Sequence, residues 1–223
     1  MKGKLIIIEG GDGSGKATQT ELLRRHLAED GQSVKAVSYP DYDSESSALV
    51  KMYLRGDFGT DADTINPYAA SAFYAVDRIA SYELKWKQFF KAGGIVLADR
   101  YTTSNMLYQM IKIHGKADQD AYLDWLWDFE FKKLGLPEPD AVILLDVPLE
   151  VTERLMSERT GKTGGTTGDI HEKDRGFLRK CHAAYVRLAA KYGWHKIDCA
   201  RAGMLRSPRA IHEDVYALVK NLI

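Results

Sequence analysis

The clearest chemistry in the chain lies in Gly10 to Lys16, reading GGDGSGK. Gly10, Gly11, Gly13 and Gly15 let the backbone turn where side chains would block it, so that N–H groups can face one anion. Lys16 adds a point charge on a flexible stem, suited to the terminal phosphates of a nucleotide. The spacing G-x-x-x-x-G-K from Gly10 to Lys16 is the Walker A pattern. Asp12 and Ser14 lie inside the loop and Thr18 follows it. One position departs. Ala17 stands where the pattern has Ser or Thr, so the hydroxyl that ordinarily holds magnesium is missing. An ordinary glycine turn is the plain alternative, and the strand and helix signals on either side argue against it.

Asp99-Arg100 closes a second apolar run, Ile95 to Ala98. An acid at the end of a buried strand in a phosphate-binding protein is placed to hold magnesium, directly or through water. Capping the next helix is the simpler role. Arg100 brings a charge that needs an anion, either a phosphate matched by its planar fork or a carboxylate in a structural ion pair. A third segment, Gly161 to Gly168, is too rich in glycine for a helix or strand. Arg154, Arg159 and Lys162 flank it on one side, and Asp169, Glu172, Lys173 and Arg175 on the other. A mobile basic loop can close over a nucleotide and shut out water; a solvated surface loop is the alternative.

The elements that must position these groups alternate along the chain. Leu5 to Ile8 reads as a fully buried parallel strand, and the segment after Lys16 as a helix with Gly31 as its C-cap. Val34 to Tyr39 is a second strand, stopped by Pro40 and the loop YPDYDSESS. Residues 46–56 (SSALVKMYLRG) form a short helix. Asn66-Pro67 opens a long helix running to Ala92, with Asn as cap and Pro in the first turn. Ile95 to Ala98 is the third strand. Two helices follow, over 102–115 and from about Asp118 to Leu134. AVILLDV is a fourth strand, Glu150 to Thr160 a short helix, Trp194 to Asp198 a fifth strand, and SPRAIHEDVYALVKNL the last helix. Strand–helix alternation predicts an α/β fold with a five-stranded parallel sheet covered on both faces. Ligands in such sheets bind beyond the carboxyl ends of the strands, where the glycine loop, the YPDY loop and Asp99-Arg100 all fall.

Composition sets the outer bounds. A chain of 223 residues is long enough for one large domain with a full core. Its 31 basic and 31 acidic residues cancel, which argues against bulk binding to nucleic acid or anionic membrane. No apolar run approaches a membrane span. Cys181 and Cys199 lack metal or redox spacing and read as buried reduced thiols. With a strand starting almost at residue 1 and no signal peptide, a cytoplasmic protein is expected.

EGGDGSGKATQ, FYAVDR, DRYTTSNMLYQ and LDVP, in that order, resemble the thymidylate kinases of the nucleoside monophosphate kinase superfamily. The likeness covers nearly the whole chain, and DRY followed by SNxxY is more specific than the glycine loop. It implies phosphoryl transfer from ATP to dTMP with Mg2+, giving dTDP and ADP. It also implies a P-loop fold of this type forming one domain over 1–223, a mobile lid at about 159–173, and a homodimer. Residues 10–18 would wrap the ATP phosphates. Asp12 would accept from the sugar 3′-hydroxyl, and Tyr42 would lie near the acceptor phosphate. Asp41 occupies a place where many members carry Arg. Tyr74 and Arg78, four residues apart and so on one helical face, would stack on thymine and donate to its O4. Asn105 would hydrogen-bond the base edge, and Tyr108 would crowd the sugar 2′ carbon. Read without the family, Tyr74 and Tyr108 are core or interface aromatics, Arg78 pairs with Asp77 or Glu83, Asn105 is a cap, and the tryptophans of YLDWLWDFEF are packing.

The chemistry so implied asks nothing covalent of the protein. Lys16, Arg100 and magnesium at Asp99 would neutralise the transferring group. The glycine loop has no arginine, so the lid would supply one, with Arg159 ahead of Arg154 and Arg175. The rivals are a deoxynucleoside kinase or another monophosphate kinase on the same scaffold, and a non-catalytic nucleotide switch, which Ala17 favours.

Overall fold

A computed structural model describes residues 2–59, 61, 63–152 and 175–223. Five parallel strands form one sheet: β1 (Lys4–Glu9), β2 (Val34–Ser38), β3 (Ile95–Asp99), β4 (Ala141–Asp146) and β5 (His195–Asp198). Their spatial order is β2-β3-β1-β4-β5, so the strand leading into the glycine loop is central. The register places Ile8 beside Asp99 and Glu9 beside Leu144, which brings the ends of β1, β3 and β4 to one level.

The three central strands, β1, β3 and β4, are apolar along most of their length because each face of the sheet meets its own core. Ile6, Ile8, Leu97, Ile143 and Leu145 pack on one side against Leu23 and Leu27 of helix α1 (Lys16–Glu29). On the same side lie Ile211, Val215 and Val219 of the final helix (Pro208–Lys220). Leu5, Ile7, Val96 and Ala98 turn the other way, onto Tyr82, Trp86, Phe90 and Tyr101. This period-two division sends each fully buried Ile or Leu into a core, where it contributes about 1.5–3 kcal/mol.

Helix α2 (Ala48–Arg55) ends at Gly56, whose φ of 84° suits a residue without Cβ. Helix α3 (Pro67–Ser81) starts as its sequence predicts: the Asn66 side chain accepts from Ala69 N at 2.9 Å and Pro67 takes the first turn. It does not run unbroken to Ala92. A widened π turn at Tyr82–Trp86 precedes α4 (Lys87–Lys91). Such a turn closes i→i+5 hydrogen bonds and so shifts which residues share a face. Tyr82 and Trp86 both face the core, with ring centroids at 4.7 Å, and Trp86 Nε1 donates to Tyr39 Oη at 2.9 Å.

Helix α5 (Thr102–Tyr108) is shorter than the sequence suggests and gives way to a 3-10 turn at Met110–Lys112. Helix α6 (Lys116–Trp127) runs into a second π turn, Asp128–Lys133, which carries Glu130 inward. Residues 149–152 begin a helix after β4; the rest of the helix expected to Thr160, and the expected lid, lie outside the described residues. Helix α7 (Arg175–Tyr192) packs Tyr185 and Leu188 against α5 and α6. A two-residue hairpin, β6 (Ala200–Arg201) and β7 (Met204–Leu205), which the sequence reading did not anticipate, leads into α8 (Pro208–Lys220). Cys181 and Cys199 are buried and lie outside any disulfide. Trp125 and Trp127 pack against buried clusters, as expected of them. Among the described residues no helix is long and apolar enough to cross a membrane.

Candidate active site

The glycine loop leaves β1 at its carboxyl end and returns as the first turn of α1. Gly10, Gly13 and Gly15 have φ of 153°, 78° and 89°, a region L side chains rarely adopt. A Cβ on Gly10 would also sit 2.6 Å from Ser14 Oγ and 2.9 Å from Leu145 O. Lys16, at the first position of α1, turns back so that Nζ donates to Gly11 O at 2.9 Å. Burial lowers the Lys16 ammonium to a pKa of about 8; Arg100 adds to this, and Asp12, Asp99 and Glu9 oppose it. Ser14 Oγ is buried without a partner among the described groups, an orphan polar atom inside the anion cradle. Ala17 and Thr18 are exposed on the first turn.

Asp99 ends β3 next to the loop. Burial raises its carboxyl pKa, against the pull of Lys16 and Arg100. Arg100 holds a left-handed backbone, φ 67°, and its N–H donates to Ile8 O at 3.2 Å. Its Nη2 donates to Asp12 Oδ1 at 2.5 Å and its Nη1 to Ser104 Oγ at 3.3 Å. The guanidinium lies over the Tyr108 ring, 5.5 Å from the centroid. The anion that Arg100 meets here is thus a carboxylate, on the residue expected to receive a sugar hydroxyl.

Beside the loop opens a cleft of about 610 Å3, counting its solvent-facing mouth. Asp12, Tyr42, Tyr74, Arg78, Arg100, Asn105 and Tyr108 all line it. Tyr42 is exposed at the rim, in the loop that begins with the cis Tyr39–Pro40 peptide. Tyr74 meets Tyr53 edge-on at 6.3 Å and 87°, which limits its ring rotation. Asn105 Nδ2 donates to Ser71 O at 3.3 Å, while the Asn105 backbone carbonyl accepts from Tyr122 Oη at 3.2 Å. Tyr108 stands edge-on to Tyr185.

Arg78 pairs with neither acid near it in sequence. Asp77 accepts from Asp41 N and Ser46 Oγ, and Glu83 pairs with Lys87. Arg78 instead donates from Nε to Glu130 Oε2 at 2.7 Å and from Nη2 to Oε1 at 2.5 Å, with both side chains buried. Thr102 Oγ1 adds a 2.6 Å bond to Glu130. This fork fixes the plane of the guanidinium that also borders the cleft.

Sequence reasoning assigned no role of its own to Glu9, Ser104, Glu130 or Tyr185. Glu9 carried a usable signal, an acid closing a buried strand, the same signal that drew attention to Asp99. Glu130 carried none, because it sits in an aromatic run and its partner lies 52 residues away. Arg154, Arg159, Lys162, Asp169, Glu172 and Lys173 lie outside the described residues, as does the side chain of Arg175. Among the described residues no group of three or more His, Cys, Asp or Glu side chains is placed to hold a metal. The Asp99 carboxylate beside the loop is an oxygen donor of the kind magnesium takes, and with water in the other positions it would fit that ion.

A parallel sheet with a Walker A loop on its central strand, and an adjoining cleft lined by Arg100 just past the end of the neighbouring strand, defines a P-loop phosphotransferase of the nucleoside monophosphate kinase type. The sequence profile described as Thymidylate kinase matches residues 8–206, and the chain belongs to the thymidylate kinase family. It is 32% identical to the thymidylate kinase of Mycobacterium tuberculosis over 191 residues, which are 85% of this chain and 87% of that one. It is 30% identical to a probable thymidylate kinase of Pyrococcus abyssi over 223 residues, 99% and 98% of the two chains. The solved structure of thymidylate kinase from Candida albicans shares the fold with a TM-score of 0.71 at 21% identity, covering 99% of this chain and 92% of that one.

Proposed function

We propose that the cleft between the glycine loop and α5 is where this chain performs its family's reaction, the ATP-dependent phosphorylation of dTMP. The observation that carries the assignment is convergence. Seven residues from four separated segments, expected from family spacing to contact dTMP, border one cleft that also touches the phosphate loop.

In this reading residues 10–18 bind the ATP phosphates on backbone N–H groups and on Lys16 Nζ. Tyr74, braced by Tyr53, stacks on thymine, and Arg78, held by Glu130, donates to O4. Asn105 meets the base edge, Tyr108 crowds the 2′ carbon, Asp12 receives the 3′-hydroxyl, and Tyr42 lies by the acceptor phosphate. Arg100, oriented by Asp12 and Ser104, faces the acceptor phosphate, whose oxygen is already a nucleophile at neutral pH. The protein's task is to align that oxygen in line with the transferring group and to cancel charge. Asp99 would hold Mg2+, which when bound neutralises phosphate charge. Arg159, from a lid at about 159–173 within one domain spanning 1–223, would supply the remaining positive group. A cytoplasmic homodimer fits this reading, with Cys181 and Cys199 buried outside any disulfide.

The test is ADP release, followed by coupled assay, with dTMP, thymidine and other monophosphates as acceptors. Turnover with dTMP well above thymidine is expected. A preference for thymidine would make the chain a nucleoside kinase, and tight ATP binding without acceptor-dependent turnover would make it a switch; either overturns the reading.

A further inference from the structure

Glu9 is fully buried, yet it is bonded to the phosphate loop, α5 and α7 at once. One carboxylate oxygen, Oε1, accepts from Thr103 Oγ1 at 2.8 Å and from Ser104 Oγ at 2.7 Å, both on α5. The other, Oε2, accepts from Tyr185 Oη on α7 at 3.1 Å and from Gly10 N in the phosphate loop at 3.3 Å. Tyr185 Oη also lies 3.0 Å from Gly10 O. Ser104, which donates to Glu9, is the hydroxyl that receives Arg100 Nη1. A single side chain at the end of the central strand thus joins the donor loop, the acceptor-side helix and helix α7, which follows the expected lid in sequence.

A core made only for stability would not need this group. Burying a carboxylate is costly unless its oxygens are satisfied, and four donors from three elements are spent on doing so. What the arrangement secures is relative position. Gly10 and Ser104 are tied through one rigid carboxylate, and Arg100 is referred to the phosphate loop through Ser104.

We propose that Glu9 is a positioning residue for phosphoryl transfer, fixing Arg100 against the phosphate loop through Ser104. The proposal rests on the cleft being the site of transfer. Glu9 is buried and does not line the cleft, so its loss should appear in kcat rather than in KM. Misplacing a reacting group by about 1 Å costs about 100-fold in rate, while binding through the remaining contacts persists.

Glu9→Gln is the informative change because shape is kept. The amide oxygen can serve Thr103 and Ser104, and its NH2 can donate to Tyr185 Oη while that hydroxyl turns to Gly10 O. Gly10 N loses its acceptor. The Glu9→Gln, Ser104→Ala and double variants are assayed with ATP and dTMP, with thermal melting alongside. Expected are a fall in kcat of about 100-fold for Glu9→Gln and about 10-fold for Ser104→Ala. KM for both substrates should stay within about threefold, and the double variant should be no slower than Glu9→Gln, because both changes cut one path. A kcat within about threefold of wild type, a loss confined to KM, or multiplying effects in the double variant would overturn the proposal. If Glu9→Gln does not fold, Ser104→Ala alone decides by the same kcat criterion. Wild-type turnover with dTMP separates this outcome from failure of the site assignment: an inactive wild type sinks the assignment, an active wild type with an unaffected variant sinks only the role of Glu9.

Discussion

Glu130→Ala would remove the partner of a buried arginine and nothing else from the cleft. Arg78 and Glu130 are 2% and 0% exposed in their side chains, joined by two hydrogen bonds, with a third from Thr102. Deleting one member of such a pair leaves the other charge buried and uncompensated, at about 3–5 kcal/mol. For a chain of this size about 1 kcal/mol moves Tm by about 2–4 °C, so melting should fall by about 6–20 °C. Replacing both members, Arg78→Met with Glu130→Leu, removes the stranded charge, and apolar replacements of buried pairs are often neutral or stabilising. Stability should therefore return in the double variant while thymine recognition does not. A hydrogen bond from a charged donor is worth about 1.5–3 kcal/mol, which predicts a loss of about 10- to 100-fold in dTMP affinity. Melting curves and calorimetric titration with dTMP measure the two effects separately. A melting point for Glu130→Ala within about 2 °C of wild type would refute the stability argument. Undiminished dTMP affinity in the double variant would refute the recognition role of Arg78.

Three further outcomes follow from other parts of the site. Burial holds Lys16 near a pKa of about 8, so its charge is lost as pH rises through that value. The kcat/KM profile for ATP should fall on that alkaline side, and a profile flat to pH ~10 would contradict it. Arg159→Ala should lower kcat more than it weakens nucleotide affinity, and single-turnover rates unchanged from wild type would clear Arg159 of the transfer step. The Asp146 carboxylate, 3.2 Å from His182 Nε2, raises the imidazole above its ordinary 6.5. The stability this adds is fully present below that value and lost as pH rises through the raised one. His182→Asn should therefore depress Tm more at pH ~5.5 than at pH ~9, and equal depression at both would show that the pair carries no charge-linked stability.

Much of this site is local, and what is local was legible. The phosphate loop is a run of adjacent residues whose glycine spacing carries its own geometry. The three central strands announce themselves as short apolar runs between helix signals, and the two edge strands by the alternation of strand and helix around them. Asn66-Pro67 reads as a helix start because capping depends only on neighbours. What escaped depends on distance in sequence. The π turns at Tyr82–Trp86 and Asp128–Lys133 leave the apolar pattern intact and shift only its phase. Arg78 had two acids nearby, and nothing in the chain revealed that a turn 52 residues on would offer a better-shaped partner. Arg100 was read as needing an anion; that Asp12 meets it depends on how β1 and β3 lie side by side.

The charges around Lys16 show why the described residues alone do not complete the chemistry. Lys16 and Arg100 face the carboxylates of Glu9, Asp12 and Asp99, which leaves the cradle one negative charge in excess. Two phosphorylated ligands would bring several more into the same low-dielectric space, where each unpaired charge is costly. Glu9 is wholly committed to α5, α7 and the loop and so stays buried. Asp12 can be relieved by a sugar hydroxyl, and Asp99 by a divalent cation. The rest of the imbalance must be met by positive groups arriving with the nucleotide or closing over it. On the proposed reading, a magnesium ion at Asp99 and the basic segment containing Arg154, Arg159 and Lys162 would supply them.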